Sequence, residues 1–154
     1  MTVSLNKKVP AFSRPATGDK SWKLSDAAGK KLVLYFYPKD NTTGCTLEGK
    51  AFSDLHAAFK KAGTLVLGVS PDSVASHEKF KGKMAFPFDL LSDEDKKVSE
   101  LFDVWKEKSM YGRKYMGVER STFLIDAGGV LRQEWRKVKV PGHADEVLAA
   151  AKAL

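Results

Sequence analysis

The chain has 154 residues, of which 43% are hydrophobic and 29% are charged, with a formal net charge of +7 and one cysteine. This length normally gives one domain that folds without a disulfide or a metal ion, and we therefore expect one domain over residues 1–154. One cysteine excludes a framework of internal disulfides, and it excludes any multi-cysteine zinc or iron–sulfur site within the chain.

The positive charge is spread along the chain as lysine pairs such as Lys7–Lys8 and Lys60–Lys61. Arginine, whose forked geometry suits phosphates and base edges, supplies few of the 26 basic residues. We expect a solubilising lysine surface and no nucleic-acid partner. Two basic stretches that contain aromatic residues, 106–120 and 132–139, leave a basic binding module open as an alternative.

The sequence predicts no membrane partner and a cytoplasmic location. Its longest apolar run, 32–37, is far shorter than the ~20 residues of a membrane-spanning helix. The first six residues lack the basic and apolar regions of a signal peptide.

The first half of the chain alternates apolar runs with helical patterns. Residues 31–38 form a continuous apolar run that ends in proline, which is typical of a strand buried on both faces. Turn-forming residues fill 39–44, and apolar positions then recur at helical spacing from Leu47 to Phe59. A second buried strand is predicted over 64–70 and a charged helix over 74–83.

The second half adds a hairpin and a closing helix. Residues 86–91 are a strand candidate, and Ser92 is predicted to cap a helix that runs to about Phe102. Strands at 121–126 and 130–135 flank a glycine-rich turn, and a last helix begins near Pro141. This order predicts an α/β fold with a central mixed β-sheet flanked by helices.

The single cysteine, Cys45, lies where the first strand has ended and a helix begins. The free N–H groups and the positive dipole of a helix N-terminus favour a thiolate over a thiol. Gly44 permits a close backbone approach, and Thr42 and Thr43 offer hydroxyl groups. A buried structural cysteine is the alternative, but five polar or small residues precede Cys45 where an apolar stripe would be expected.

No histidine is placed by the sequence to act as a base for this thiol. His56 would lie on the same helix about 16 Å along its axis from Cys45, and we expect His77 and His143 to be surface residues. A thiolate without a base suits attack on a weak O–O bond, which needs hydrogen-bond donors and a cation beside the sulfur.

Two motifs carry a resemblance to a known family. The stretch 38–48, with Pro38, Thr42 and Cys45, resembles the active-site loop of peroxiredoxins, and the segment 117–126 is similar to their arginine-bearing strand. Together with the intervening residues 87–93, the sequences of these two motifs are most similar to those of the Q-type, or bacterioferritin comigratory protein, subfamily. The similarity extends from about residue 5 to residue 154.

The resemblance implies a thioredoxin-like fold, reduction of hydrogen peroxide and organic hydroperoxides as antioxidant defence, and no metal, haem or flavin. It implies that Cys45 is the peroxidatic nucleophile and becomes a sulfenic acid. Thr42 would hydrogen-bond the peroxide and the thiolate, Pro38 would shield the thiolate from water, and Arg120 would stabilise the thiolate and polarise the peroxide. Glu48 would hold the arginine, and Gly44 would support the loop.

The chain departs from the subfamily at its second cysteine. Thr43 stands where proline is frequent. Of the two positions where resolving cysteines occur, the first is Lys50 and the second falls near Lys81, and neither is a cysteine. The resemblance therefore implies a single-cysteine enzyme, with a monomer expected, reduced by an external thiol: thioredoxin, glutaredoxin or a small thiol. A disulfide reductase is the enzymatic alternative, but its chemistry needs two cysteines. A peroxidase whose lysine surface attracts an acidic reductant also stays open.

Overall fold

The computed structural model describes residues 2–154, in which nine strands and five α-helices form. The strands are β1 (Ser13–Ala16), β2 (Lys20–Lys23), β3 (Lys31–Phe36), β4 (Thr64–Ser70), β5 (Leu90–Ser92), β6 (Trp105–Met110), β7 (Arg113–Val118), β8 (Ser121–Ile125) and β9 (Leu131–Trp135). The helices are α1 (Thr43–Asp54), α2 (His56–Lys61), α3 (Val74–Met84), α4 (Lys97–Leu101) and α5 (His143–Ala153). A 3-10 turn, Leu24–Ala27, follows β2.

Seven strands form one mixed sheet in the order β2-β1-β5-β4-β3-β8-β9, and β6 and β7 form a separate hairpin. Strands β3, β4 and β5 are parallel, whereas β8 runs antiparallel to β3 and β9 antiparallel to β8. The predicted α/β fold with a central mixed sheet flanked by helices is confirmed.

The central strand β3 is buried on both faces, as its continuous apolar run predicts. Because side chains alternate along a strand, Leu34 and Phe36 join one apolar cluster, which includes Phe102 beside α4. Val33 and Tyr35 join the cluster on the other face, where α1, α2, α3 and α5 pack. The loop that follows β3 therefore leads directly into α1 and its cysteine.

The predicted helix over 47–59 is two helices with a different buried face. The chain breaks at Leu55, between α1 and α2. Leu47, predicted to be apolar core, is 54% exposed, and the buried positions of α1 are Cys45, Glu48, Gly49 and Phe52. The helix turns this face inward because Phe52 packs on the sheet and Glu48 meets an arginine.

The predicted elements over 86–102 are shifted along the chain. The strand is Leu90–Ser92 rather than 86–91, and Ser92 lies in it instead of capping a helix. The helix starts only at Lys97, since the carboxylate of Asp93 accepts hydrogen bonds from the backbone N–H groups of Val98 and Ser99 and takes the capping role.

Two hairpins were not predicted, β1–β2 and β6–β7. Both carry charged residues at positions where an alternating apolar pattern would have marked a strand. None of the helices within residues 2–154 is both long and apolar enough to cross a membrane.

Candidate active site

Cys45 lies in the first turn of α1, at the carboxyl edge of the central strands. Thr42 is the N-cap residue, and its carbonyl accepts the first helical hydrogen bond, from the N–H of Thr46 at 2.9 Å. The N–H groups of this first turn have no carbonyl one turn earlier to bond, so they and the helix dipole face the site with partial positive charge. Cys45 itself is 1% exposed.

Arg120 connects the thiol to a buried carboxylate. It lies between β7 and β8, and its Nη2 donates to Sγ of Cys45 at 3.3 Å while Nη1 donates to Oε1 of Glu48 at 2.6 Å. The planar guanidinium holds both acceptors in one fork, which a lysine could not do. The structure therefore brings together the three predicted residues Cys45, Glu48 and Arg120.

Glu48 is a buried carboxyl group with one satisfied oxygen. Burial raises the pKa of Glu48 to about 7, and Arg120 opposes that rise. Its Oε2 and the hydroxyl of Tyr35 have no hydrogen-bond partner within residues 2–154. Burial works against ionisation of Arg120 as well, but the charges of Glu48 and Cys45 outweigh it and raise the pKa of Arg120. The guanidinium is therefore a fixed cation beside the sulfur.

The other predicted site residues, Pro38, Thr42 and Gly44, lie on the segment that leads into Cys45. The Thr42 hydroxyl donates to the carbonyl of Lys39 at 2.9 Å, so in this conformation its oxygen is free to accept a hydrogen bond. Pro38 is half-buried at the start of the same loop. A Cβ atom on Gly44 would lie 3.1 Å from Nη2 of Arg120, and glycine thus permits the arginine to reach the thiol.

The loop between Pro38 and Thr42 is fixed by a buried network that the sequence did not reveal. Asp40 accepts hydrogen bonds from the hydroxyl of Tyr37 at 2.7 Å and from that of Ser76 at 2.7 Å. Its Oδ2 lies 2.7 Å from Nδ1 of His77. Burial disfavours the Asp40 carboxylate, but these hydrogen bonds, His77 first, outweigh it and lower its pKa. The network ties the active-site loop to α3.

The expectation that His77 and His143 lie at the surface is wrong. His77 is fully buried, and its Nε2 faces the carbonyl of Leu91 at 2.9 Å. His143 is 5% exposed, and its Nε2 lies 2.8 Å from the hydroxyl of Thr122. Burial, with a smaller contribution from Arg120, lowers the pKa of His143 to about 4. Contacts with residues distant in the chain bury these histidines, and no local sequence pattern predicts their burial.

The two positions expected for a resolving cysteine are Lys50 and a position near Lys81, and neither holds a cysteine. Lys50 is exposed on α1. Lys81 donates to Oδ1 of Asp89 at 2.8 Å, and Lys20 lies 2.7 Å from the other oxygen. Burial opposes ionisation of Asp89, but hydrogen bonds from Lys20, Lys81 and Thr17 lower its pKa to about 2. Lys81 is thus integrated into an ion-pair network of its own.

Comparison with known proteins agrees with this geometry. A profile of the AhpC/TSA family matches residues 5–134. Peroxiredoxin Bcp of Bacillus subtilis is 50% identical over 152 residues, which cover 99% of this chain and 97% of that protein. Peroxiredoxin Bcp of Xanthomonas campestris is 55% identical over 137 residues, which cover 89% of this chain and 86% of that protein.

Solved structures give the same result. Peroxiredoxin Q of Xanthomonas campestris matches with a TM-score of 0.89 at 53% identity, covering 92% of this chain and 90% of that one. A cysteine-to-serine variant of Xylella fastidiosa PrxQ matches with a TM-score of 0.93 at 44% identity, covering 99% and 98%. Forms of the Xanthomonas protein with serine in place of either of two cysteines have also been solved.

These matches confirm the thioredoxin-like fold and the predicted enzyme class. The family profile covers most of the chain, and the relatives match the chain along nearly its whole length. This chain has one cysteine, Cys45. The chain therefore belongs to the AhpC/TSA family, as a peroxiredoxin of the Bcp, or Q, type and a thiol peroxidase.

Proposed function

We propose that Cys45 is the peroxidatic residue and that Arg120, Thr42 and Pro38 assist it, with Gly44 and Glu48 as supports. The observation that carries the proposal is the forked contact of Arg120, with Sγ of Cys45 at 3.3 Å and Glu48 at 2.6 Å. A solved form of the Xanthomonas campestris bacterioferritin comigratory protein is described in terms of alkyl peroxide reduction, which supports organic hydroperoxides besides hydrogen peroxide as substrates.

The first chemical step oxidises the sulfur. The Cys45 thiolate attacks the terminal peroxide oxygen, an S–O bond forms, the O–O bond breaks, and the departing alkoxide or hydroxide takes up a proton. Arg120 and the first-turn N–H groups of α1 stabilise the negative charge that moves from sulfur to oxygen. Thr42 accepts a hydrogen bond from the peroxide, and Pro38 limits access of water to the sulfur.

The second step needs a thiol from another molecule, because the chain has no further cysteine. An external thiol attacks the sulfenic sulfur and releases water, which leaves a mixed disulfide. A second thiol then releases the Cys45 thiol and forms the disulfide of the reductant. Without a reductant, further peroxide oxidises the sulfenic acid to the sulfinic acid.

A cytoplasmic location fits this cycle, since thiols are kept reduced there, and we extend the proposal to a monomer that needs no cofactor. We also treat residues 1–154 as one domain. The C-terminal elements β8, β9 and α5 complete the sheet and the helical layer that β3 and α1 begin, which supports this division.

The experiment that tests the proposal is peroxide consumption with dithiothreitol as reductant. We expect sustained turnover by the wild type with thiol. Without thiol, one peroxide per chain should form the sulfenic acid and a second should oxidise it to the sulfinic acid, after which consumption stops. The Cys45→Ser variant should consume none. Steady consumption by Cys45→Ser would refute the role of this thiol.

A further inference from the structure

The β6–β7 hairpin exposes large apolar side chains to solvent. Its two strands pair only with each other among the described strands. It carries four large apolar side chains with high exposure: Met110 at 56%, Tyr111 at 98%, Tyr115 at 44% and Met116 at 49%. Apolar side chains concentrated in one projecting element indicate a surface that contacts another molecule.

The backbone at the tip of the hairpin is strained at Tyr111, which is also its most exposed residue. Tyr111 and Gly112 form the two-residue turn with φ of +51° and +76°, the left-handed region that glycine and asparagine adopt readily. A tyrosine there costs folding energy. Because Tyr111 is 98% exposed, burial within this chain returns none of that energy. The side chain is presented to solvent rather than packed.

The charged side chains that the hairpin itself places on one of its faces are all positive, although Lys106 on that face pairs with Asp103, just before the hairpin, at 2.9 Å. Directly paired residues share a face, and the pairs Lys106–Gly117, Lys108–Tyr115 and Met110–Arg113 alternate with the others along the ribbon. We call the five side chains of these pairs the basic face: Lys106, Lys108, Met110, Arg113 and Tyr115. The acidic residue of the hairpin, Glu107, lies on the opposite face, 3.7 Å from Lys114.

The basic face borders the reactive thiol. The chain passes from the end of β7 at Val118 to Arg120, whose Nη2 contacts Sγ of Cys45. The Lys108 side chain lies across Gly117, three residues before Arg120: a Cβ atom on this glycine would be 3.4 Å from Cδ of Lys108. Burial lowers the pKa of Lys108 and Arg120 lowers it further, while Glu119 and, to a smaller extent, Cys45 act in the opposite direction. The base of the basic face therefore adjoins the segment that carries Arg120 to Cys45.

The positive charge of the basic face distinguishes between two possible binding partners, a second copy of this chain and an acidic protein. A second copy of this chain would place the same positive face against itself in a two-fold interface, and each chain carries a net charge of +7. Like charges across an interface oppose association. A protein with acidic side chains around an exposed thiol fits both the charge of the face and the requirement for an external reductant.

We propose that the basic face, with Tyr111 at its tip, is the docking surface for a protein dithiol reductant whose thiol is surrounded by acidic residues. This proposal rests on the proposed function, because it assumes that Cys45 is reduced from outside. The aromatic and methionine side chains supply apolar contact, and the cations steer the partner toward Cys45.

The test compares two reductants and two matched charge reversals. Arg113→Glu changes the exposed basic face. Lys7→Glu changes an exposed lysine beside Leu131, near the β8–β9 turn. That turn is at the far edge of the sheet, because Ile125 pairs with Leu32 at the start of β3 while Cys45 follows its end. Each variant is assayed with an acidic thioredoxin, recycled by its reductase and NADPH, and with dithiothreitol.

We expect Arg113→Glu to lower kcat/KM for thioredoxin about tenfold, since steering of this kind changes association rates by about 10 to 1,000-fold. We expect Lys7→Glu to change it less than twofold and both variants to keep the wild-type rate with dithiothreitol. The wild-type rate with thioredoxin should fall steeply between about 0.01 M and 1 M salt, as the screening length shortens from about 30 Å to about 3 Å.

Three results would overturn the docking surface. One is an equal loss for Arg113→Glu and Lys7→Glu, which would report net charge alone. Another is a wild type that turns over no faster with thioredoxin than with dithiothreitol. The third is a dimer in sedimentation that Arg113→Glu dissociates, which would assign the hairpin to a second copy. Loss of turnover with dithiothreitol in the wild type would instead contradict the proposed function itself.

Discussion

Replacement of Arg120 by alanine perturbs the site most selectively. The change removes one hydrogen bond to Sγ of Cys45, at 3.3 Å, and one to Oε1 of Glu48, at 2.6 Å. A hydrogen bond to a charged group contributes about 1.5–3 kcal/mol. If that contribution is realised when charge moves from sulfur to peroxide oxygen, the reaction slows about 10- to 150-fold, at 1.36 kcal/mol for each factor of ten.

The assay is stopped-flow measurement of the second-order rate constant for oxidation of the reduced enzyme by hydrogen peroxide. Arg120→Lys should give an intermediate rate, because one ammonium group cannot serve two acceptors as the guanidinium fork does. Arg132→Ala is the matched control, since that arginine pairs with Asp126 at 2.7 Å away from the thiol, and it should react like the wild type.

A second readout separates this role from damage to the fold. Without Arg120, the pKa of Glu48 should rise above its present value of about 7, because the arginine opposes the effect of burial. A carboxyl group with a raised pKa in the folded state stabilises below its unfolded pKa and loses that contribution as pH rises through the folded value. In urea unfolding, the stability of the wild type should therefore stop falling on account of Glu48 near pH 7, whereas that of Arg120→Ala should continue to fall above about pH 7. A folded variant with the wild-type peroxide rate constant would refute the reasoning.

Three further changes test other parts of the structure. Gly44→Ala places a Cβ 3.1 Å from Nη2 of Arg120; we expect slower peroxide oxidation with unchanged or higher stability, because alanine favours a helix by about 0.5–1 kcal/mol over glycine. Asp89→Asn should lower the free energy of unfolding by about 2 kcal/mol at pH 7, since the pKa of Asp89 is about 2 against an ordinary 3.8. A lowered pKa stabilises above the unfolded value, so this difference should disappear as pH falls through about 2 in urea titrations, and a constant difference would contradict it. Tyr111→Asn should raise the thermal midpoint, because asparagine tolerates the left-handed conformation about 1 kcal/mol better; an unchanged or lower midpoint would remove the argument from strain.

The centre of the fold could be predicted from the sequence because its signals are local. Continuous apolar runs mark β3 and β4, and β4 has the predicted bounds. The position of Cys45 in the first turn of a helix was also predictable, since its place between a strand and a helix is a local property. Arg120 was assigned through a family resemblance, and the structure places its guanidinium against Cys45.

The remaining features depend on tertiary contacts that no local pattern encodes. The network of Asp40 with His77 joins residues 37 positions apart in the chain, and a lone histidine on a charged helix predicts exposure rather than burial. The β6–β7 hairpin was missed because its strands face solvent and alternate charged residues with few apolar ones. Its exposed apolar side chains and its positive face, which this pattern leaves on the surface, are the observations from which we infer a docking surface.

The measurement that tests the central claim most directly is the intact mass of the reduced enzyme after one equivalent of peroxide. We predict the addition of one oxygen atom, located at Cys45 by peptide mapping, and its replacement by a mixed disulfide when a thiol is added, followed by return of the original mass. An oxygen atom on another residue, or an oxidised Cys45 that no external thiol reduces, would contradict a single-cysteine peroxidase resolved from outside the chain.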